Sequence, residues 1–141
     1  MKTAIIYKSF LGITKQYVSW LAKDIKADVL TFNQANDEKL SLYKTIIIAS
    51  GTYAGWMPLT SFLVKKWPLI KNKKVIVASV GIAPSNDPYS KKVFEKIPLA
   101  IRKSVKIFKL PGKMFNLTPA GDIKKENLKD ITSYINKINK K

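Results

Sequence analysis

The segment that follows the first apolar run of the chain has the composition of an anion-binding turn. Its residues are Ser9, Phe10, Leu11, Gly12, Ile13 and Thr14. The hydroxyls of Ser9 and Thr14 can donate to an anion, and Gly12 lets the backbone approach it closely. A helix that begins here adds unpaired N–H groups and a partial positive charge, so the segment predicts a phosphate site. The alternative is an ordinary turn in which Thr14 caps the helix.

Two later loops combine glycines with aromatic or apolar residues in a way that suits a planar ligand. The first contains Thr52, Tyr53, Ala54, Gly55 and Trp56, and the second begins with Ser79, Val80, Gly81 and Ile82. An aromatic face can stack on a flat ring, and backbone polar atoms near Gly81 would satisfy the polar edge of a buried ring. The alternatives are that Trp56 packs in the core and that the second loop is a plain Pro-rich connection.

These three loops follow three of five predicted strands. Strands are predicted over 2–7, 28–32, 44–50, 73–80 and 105–110, and helices over 14–25, 59–67, 88–97 and 124–138. Pro68 and Pro98 are expected to end the second and third helices, and Asp122 to cap the last one. The alternation implies an α/β fold, a parallel sheet with helices on both faces, in a single domain over residues 1–141. Because ligands bind beyond the carboxyl ends of such strands, the three loops are expected to share one site.

The residue types that are missing exclude several classes of chemistry. The chain has no Cys and no His, which excludes disulfides, thiol chemistry, Cys/His metal sites and a His general base. No carboxylate pair lies in the three loops, which argues against catalysis by two carboxylates. The lack of Cys fits a cytoplasmic protein. No apolar stretch approaches about 18 residues, so no membrane span is expected, and the N-terminal run is predicted to be a strand rather than a signal peptide.

The charge balance is strongly basic, with 26 Lys and Arg against 9 Asp and Glu and a net charge of +17. Most of the excess lies in residues 60–115, which contain 13 basic and 2 acidic residues. Such a field attracts anions, including acidic proteins, phosphates, nucleic acid and anionic lipid. Nucleic-acid binding rests on charge alone, because no motif supports it. The alternative is a solvated, Lys-biased surface without a specific partner.

The loops, taken in order, resemble those of the flavodoxin family. The segments that carry the resemblance are YKSFLGITKQY at 7–17, SGTYAG at 50–55 and KKVIVASVGIAP at 73–84. In that family a Ser/Thr-x-x-Gly-x-Thr turn wraps the phosphate of FMN. The likeness is strongest to the flavodoxin-domain group that includes menaquinone-dependent protoporphyrinogen oxidase, which shares a segment like KIFKLPGK at 106–113. The resemblance covers roughly residues 1–115 and implies a three-layer, doubly wound fold with five parallel strands in the order 2-1-3-4-5.

The resemblance also implies that one FMN binds non-covalently through the three loops. Tyr53 and Trp56 would lie beside its ring, and a peptide near Ala54-Gly55 would face the flavin N5. The redox chemistry would lie on FMN, without a catalytic residue in the protein. The preferred function is electron transfer between proteins. The alternatives are oxidation or reduction of a small substrate, as in the protoporphyrinogen oxidase group, and a basic binding module without flavin turnover.

One feature departs from the family pattern, because typical flavodoxins are acidic and this chain is basic. Positive charge stabilises an anionic reduced flavin, so we expect a less negative second reduction potential than an acidic flavodoxin has. An acidic redox protein is the expected partner, and rates of electron transfer should fall steeply as salt is added.

Overall fold

The computed structural model describes residues 2–10, 12–53, 55–82, 88–113, 118 and 120–139, apart from the side chains of residues 89 and 90. Within these residues, no helix has both the length and the apolar character needed to cross a membrane. The predicted site residues Leu11 and Ala54, and the third loop over 83–87, lie outside the described part of the chain.

Five strands form one parallel sheet in the order β2-β1-β3-β4-β5, which confirms the predicted topology. Their bounds are Thr3–Lys8 (β1), Asp28–Thr31 (β2), Thr45–Gly51 (β3), Lys74–Gly81 (β4) and Lys106–Pro111 (β5). Isoleucine and valine are frequent in β1, β3 and β4, as suits strands that are covered on both faces. The strand order changes direction between β1 and β3, where the pairing runs from Thr3 with Thr45 to Lys8 with Ser50. Sheets of this kind bind ligands at such a switch, beyond the carboxyl ends of the strands.

The sheet separates two hydrophobic cores, because successive residues of a strand point to opposite faces. In β3, Ile46 and Ile48 belong to one core, and Ile47 and Ala49 belong to the other. The first core is covered by α2 (Asp37–Leu40), α3 (Pro58–Ile70), α4 (Pro88–Glu95) and α5 (Leu99–Arg102), and the second by α1 (Ile13–Ile25) and α6 (Lys129–Asn139). The three layers confirm the predicted α/β fold class.

Helix α3 continues through Pro68, so the expectation that it ends at Trp67 is wrong. Proline cannot donate to the carbonyl four residues earlier and crowds it, which usually ends a helix. Here Pro68 is exposed and lies close to the end of the helix. Ile70 is fully buried, and the Lys71 N–H donates to the Trp67 carbonyl at 2.9 Å. Burial of Ile70 therefore holds the final turn in helical form.

The C-terminal segment also differs from its prediction. A 3₁₀ turn over Lys125–Leu128 precedes α6, so one continuous helix over 124–138 is wrong, and Asp122 does not cap it. Instead, the Asn127 side-chain amide donates to the Asp122 carbonyl at 2.7 Å and to the Tyr17 hydroxyl at 3.0 Å. These bonds hold the segment against α1 before α6 begins. The chain therefore enters α6 through the 3₁₀ turn and not from a capping Asp122 side chain.

Candidate functional site

A cleft opens at the carboxyl edge of the sheet, where the ends of β1, β3, β4 and β5 meet. It holds a cavity of about 90 Å³ and opens to solvent. The described residues that line it are Ser9, Ile13, Thr14, Gly51, Thr52, Tyr53, Val80, Gly81, Ile82, Gly112 and Lys113. The structure therefore brings parts of all three predicted loops to one place.

The turn between β1 and α1 leaves the helix without a side-chain cap. Gly12 occupies the cap position with a φ of 83°, a left-handed conformation that favours glycine. The alternative in which Thr14 caps the helix is therefore wrong. Ser9 Oγ accepts the Gly12 N–H at 3.1 Å, which shapes the turn and leaves the hydroxyl hydrogen to donate elsewhere. The first bond of the helix runs from Gln16 N–H to the Gly12 carbonyl at 3.0 Å, so the N–H groups of residues 13–15 have no acceptor within α1.

Tyr53 lines the cleft, and the rings of Phe10 and Trp56 contact its ring. The ring centroids of Phe10 and Tyr53 lie 5.0 Å apart in an edge-on contact, and those of Tyr53 and Trp56 lie 6.2 Å apart. Tyr53 N–H donates to the Trp56 carbonyl at 2.6 Å in a turn where Gly55 has a φ of 83°. Trp56 is 49% exposed, so the alternative that places it in the core is wrong. The turn presents flat apolar rings at the entrance.

The Tyr53 side chain lies over Gly51, at the end of β3. A Cβ at position 51 would lie 2.6 Å from Tyr53 Cζ, so the ring needs the glycine beneath it. Burial raises the pKa of Tyr53 above its ordinary value, and a backbone hydrogen bond from Phe10 partly offsets this rise. Tyr53 is therefore a neutral aromatic wall at neutral pH.

Polar contacts between the ends of β3 and β4 form the floor of the cleft. Thr52 Oγ1 and Ser79 Oγ share a hydrogen bond of 2.9 Å, and Thr52 N–H donates to the Val80 carbonyl at 2.8 Å. Ser79 is buried and does not line the cleft. Its hydroxyl orients that of Thr52, which does line it.

The end of β5 contributes two lining residues that the sequence reasoning missed, Gly112 and Lys113. Gly112 N–H donates to the Gly81 carbonyl at 2.8 Å, and a Cβ at Gly112 would lie 2.9 Å from the Gly81 carbonyl carbon. Only glycine permits this approach of the two backbones. The sequence does indicate these two residues, because Pro111-Gly112 follows the last predicted strand. The carboxyl ends of all strands in a parallel sheet lie at the same edge. Gly51 also lines the cleft, although the predicted site residues of its loop begin at Thr52.

Lysine side chains border the cleft. Lys113 lines it, Lys8 Nζ lies 5.5 Å from the centre of the Phe10 ring, and Lys96 Nζ donates to the Gly55 carbonyl at 2.6 Å. None of the described lining residues is acidic. In the part of the chain that the structure describes, no group of carboxylates could hold a metal ion. The electrostatics of the site therefore favour an anionic ligand.

The predicted site residues fall into three groups by position. Those that line the cleft are Ser9, Ile13, Thr14, Thr52, Tyr53, Val80, Gly81 and Ile82. Phe10, Gly12, Gly55 and Trp56 lie at the turns that border it, and Ser79 lies under Thr52. Direct contact between any of them and a cofactor stays a prediction.

Comparison with known proteins agrees with this architecture. A family model described as a flavodoxin domain matches residues 4–129. Oxidised flavodoxin 2 from Bacillus cereus is 18% identical with a TM-score of 0.67, covering 97% of this chain and 99% of that chain. The Trp repressor binding protein from Bacillus subtilis is 18% identical with a TM-score of 0.63, covering 93% and 96%. Two-electron reduced flavodoxin from Megasphaera elsdenii is 13% identical with a TM-score of 0.59, covering 94% and 98%.

A search of the curated proteins finds no match. At the identities above, the structural likenesses show the fold alone, and none of the comparisons singles out the protoporphyrinogen oxidase group. The family model nevertheless spans the chain from β1 to the first residue of α6 and includes every described residue of the cleft. The chain belongs to the flavodoxin-domain family.

Proposed function

We propose that this protein binds one FMN non-covalently in the cleft and transfers electrons through it. The observation that carries the proposal is the uncapped N-terminus of α1, next to a cleft bordered by Phe10, Tyr53 and Trp56. Amide donors and flat apolar rings match the two chemical halves of FMN, a phosphate and a planar ring system. The family match supports a flavodoxin-type flavoprotein, and the switch between β1 and β3 is where this topology binds FMN.

The phosphate half of FMN would bind at the turn over 9–14. The N–H groups of residues 13–15 have no acceptor within α1, and the N-terminus of a helix carries a partial positive charge. Ser9 and Thr14 add hydroxyl donors. The first turn of α1 contains no acidic side chain, so no carboxylate there repels a dianion. Because charge-assisted hydrogen bonds are roughly twice as strong as neutral ones, this half should contribute much of the affinity.

The ring half would lie between the turn over 53–56 and the backbone over 80–82. Tyr53 and Trp56 offer aromatic faces, and the Thr52 hydroxyl and the backbone at Gly81 offer polar atoms to the edge of the ring. The Gly55 carbonyl lies in the same turn and accepts from Lys96 Nζ at 2.6 Å. The resemblance to flavodoxins makes a peptide of this turn, near Ala54-Gly55, the proposed partner of the flavin N5.

When bound, FMN would supply the redox chemistry by accepting and releasing electrons. The residues of the chain would bind it, orient its ring and shield one side of it from water. No observation in the described residues favours a binding place for a small substrate beside the ring, so electron transfer between proteins is preferred to a small-molecule oxidoreductase. A cytoplasmic location, predicted from the Cys-free composition, is part of the proposal.

Analysis of the flavin bound to the purified protein tests the proposal. We expect a yellow preparation that releases one flavin per chain on denaturation, and the released flavin should co-elute with FMN rather than with FAD or riboflavin. If the preparation is colourless, it should turn yellow after incubation with FMN and gel filtration. Colourless protein that retains no FMN would contradict the proposal, and release of FAD would contradict the choice of cofactor.

A further inference from the structure

We infer that the mouth of the cleft is the docking surface for an acidic redox protein, an inference that rests on the proposed FMN site. The surface has an apolar aromatic centre, formed by Phe10, Tyr53 and Trp56, and a basic border, formed by Lys8, Lys96 and Lys113. A partner that exchanges electrons with the cleft must approach it from this side. The composition of the surface then defines the chemistry of that partner.

The aromatic centre is unusual among the described side chains. Phe10 is 54% exposed and Trp56 is 49% exposed. Among the described residues, several large hydrophobic side chains are exposed, and these two are the aromatic ones. The Tyr53 ring lies between them, with centroid distances of 5.0 Å and 6.2 Å. A contiguous exposed apolar patch of this kind marks an interaction site more often than scattered apolar residues do. Trp and Tyr are also enriched at the centres of protein interfaces.

The lysines of the basic border make the docking surface positively charged. Lys8, Lys96 and Lys113 are all exposed, and they reach the ring of Phe10, the carbonyl of Gly55 and the cleft itself. None of the described residues of the centre, the border or the cleft lining is acidic. Complementary charge at the border of an interface accelerates encounter and selects the partner. The surface therefore fits a partner with a cluster of Asp and Glu around its own redox centre.

An acidic protein fits this surface better than a nucleic acid does. An apolar aromatic centre with charged residues at its border is the arrangement of protein interfaces. Sites for single-stranded nucleic acid also combine basic side chains with stacking aromatic residues, but their basic residues form a groove that follows the phosphate backbone. Here Lys8 lies by the ring of Phe10, Lys96 by the carbonyl of Gly55 and Lys113 in the cleft lining, and this distribution around one cleft fits a protein partner.

The probe for the experiment is a [2Fe–2S] ferredoxin of net negative charge, used as electron donor to the FMN-loaded protein. Each reduced ferredoxin supplies one electron, so two are oxidised for every FMN reduced by two electrons, and the protons taken up come from solvent. Stopped-flow mixing measures the second-order rate constant over a range of salt concentrations. A reduced holoprotein mixed with a cytochrome of net positive charge provides the comparison.

The variant Lys8→Gln/Lys96→Gln removes two charges from the border. The matched control, Lys2→Gln/Lys44→Gln, removes two exposed lysines that precede β1 and β3 at the opposite edge of the sheet. At low ionic strength, we expect the ferredoxin rate constant to fall roughly three- to tenfold in the border variant and less than about twofold in the control. At high salt, the rates of all three proteins should converge, because the charges are screened. The slope of rate against salt reports on the encounter and not on the driving force.

Several results would overturn the inference. One is an equal slope of rate constant against salt concentration in the two variants. Another is a wild-type rate constant that does not depend on salt. A third is a rate constant with the basic cytochrome that falls as salt is added. A single-stranded oligonucleotide that binds at physiological salt through Lys8 and Lys96 and blocks ferredoxin would assign the surface to nucleic acid instead. Protein that fails to hold FMN would refute the proposed function, whereas FMN-loaded protein with equal slopes would refute only the docking surface.

Discussion

The hydroxyl of Tyr17 donates a 2.6 Å hydrogen bond to the carbonyl of Pro111, 94 residues later in the chain. Tyr17 belongs to α1, whose N-terminus follows the turn proposed to bind the phosphate, and Pro111 ends β5 directly before Gly112 and Lys113, which line the cleft. The same hydroxyl accepts from Asn127 at 3.0 Å. One buried side chain therefore connects the helix at one end of the cleft to the strand that forms another of its walls.

Tyr17→Phe should weaken both folding and cofactor binding. The change removes two hydrogen bonds of a buried hydroxyl and takes this donor from the Pro111 carbonyl, while Asn127 keeps its bond to the Asp122 carbonyl. The free energy of unfolding should therefore fall by about 1–2 kcal/mol. Because the end of β5 would be held less firmly relative to α1, affinity for FMN should fall by about 0.5–1 kcal/mol, or roughly two- to fivefold. Urea denaturation and calorimetric titration with FMN measure the two effects.

Tyr43→Phe is the matched control for this prediction. The Tyr43 hydroxyl donates to Asp28 Oδ2 at 2.8 Å, and both residues lie at the opposite edge of the sheet, before β3 and at the start of β2. This variant should lose a similar amount of stability and keep its affinity for FMN. If the two variants lost the same affinity, the bond between Tyr17 and Pro111 would have no special part in the site.

Stability should decrease in alkaline solution, and Tyr17 should contribute to the decrease. Burial, the larger effect, raises the pKa of Tyr17 above its ordinary value of 10.0, and the hydrogen bond from Asn127 lowers it by less. The native state therefore holds this proton more tightly than the unfolded chain does. The resulting stability is fully present below the unfolded pKa and is lost as the pH rises through the folded pKa. The free energy of unfolding should decline less between about pH 9 and about pH 11 in Tyr17→Phe than in the wild type, and equal declines would contradict this account.

Lys113 should raise the second reduction potential of the bound flavin. A positive charge that lines the cleft stabilises an anionic reduced cofactor, so Lys113→Gln should shift that potential by about 20–60 mV to more negative values, or about 0.5–1.4 kcal/mol per electron. Spectroelectrochemical titration measures the shift. Lys71 follows α3 at the far edge of the sheet, and Lys71→Gln should shift the second reduction potential much less. The wild-type potential should also be less negative than that of an acidic flavodoxin, and an equally negative value would refute this electrostatic account.

Trp56 should report on the bound ring by fluorescence. It lies half-exposed beside Tyr53, whereas Trp67 belongs to α3 and packs against the first core. FMN should quench the fluorescence of the wild type, and Trp56→Phe should lose most of this quenching while its stability changes by no more than about 0.5 kcal/mol. Trp67→Phe should keep the quenching and lose stability instead. Unchanged quenching in Trp56→Phe would place the ring away from the turn over 53–56.

The sheet and the position of the cleft could be predicted from sequence because each depends on a local pattern. The run Ile46–Ile48 is fully buried, as expected for a strand covered on both faces. Alternation of strands and helices implies parallel pairing, and parallel pairing brings loops that are distant in sequence to one edge. Ser9, Thr52 and Gly81 were therefore expected to meet before their spatial positions were known.

The features that escaped prediction depend on tertiary contacts. Helix α3 passes Pro68 because Ile70 is buried beyond it, and no local pattern reports that burial. The short helix α2 is held by its Asn36 cap, whose side chain accepts from Lys39 N–H at 2.9 Å, and it is too brief to show a hydrophobic period. Gly112 joins the site through a backbone contact with Gly81, which only the sheet brings about.

Calorimetric titration of the apoprotein with FMN and with riboflavin tests the central claim most directly, because the two ligands differ only in the phosphate. If the amides at the start of α1 and the hydroxyls of Ser9 and Thr14 bind that phosphate, FMN should bind at least about 100-fold more tightly than riboflavin. Thr14→Val should reduce the difference between the affinities for FMN and for riboflavin. Equal affinities for the two ligands, or no binding of FMN, would contradict the account.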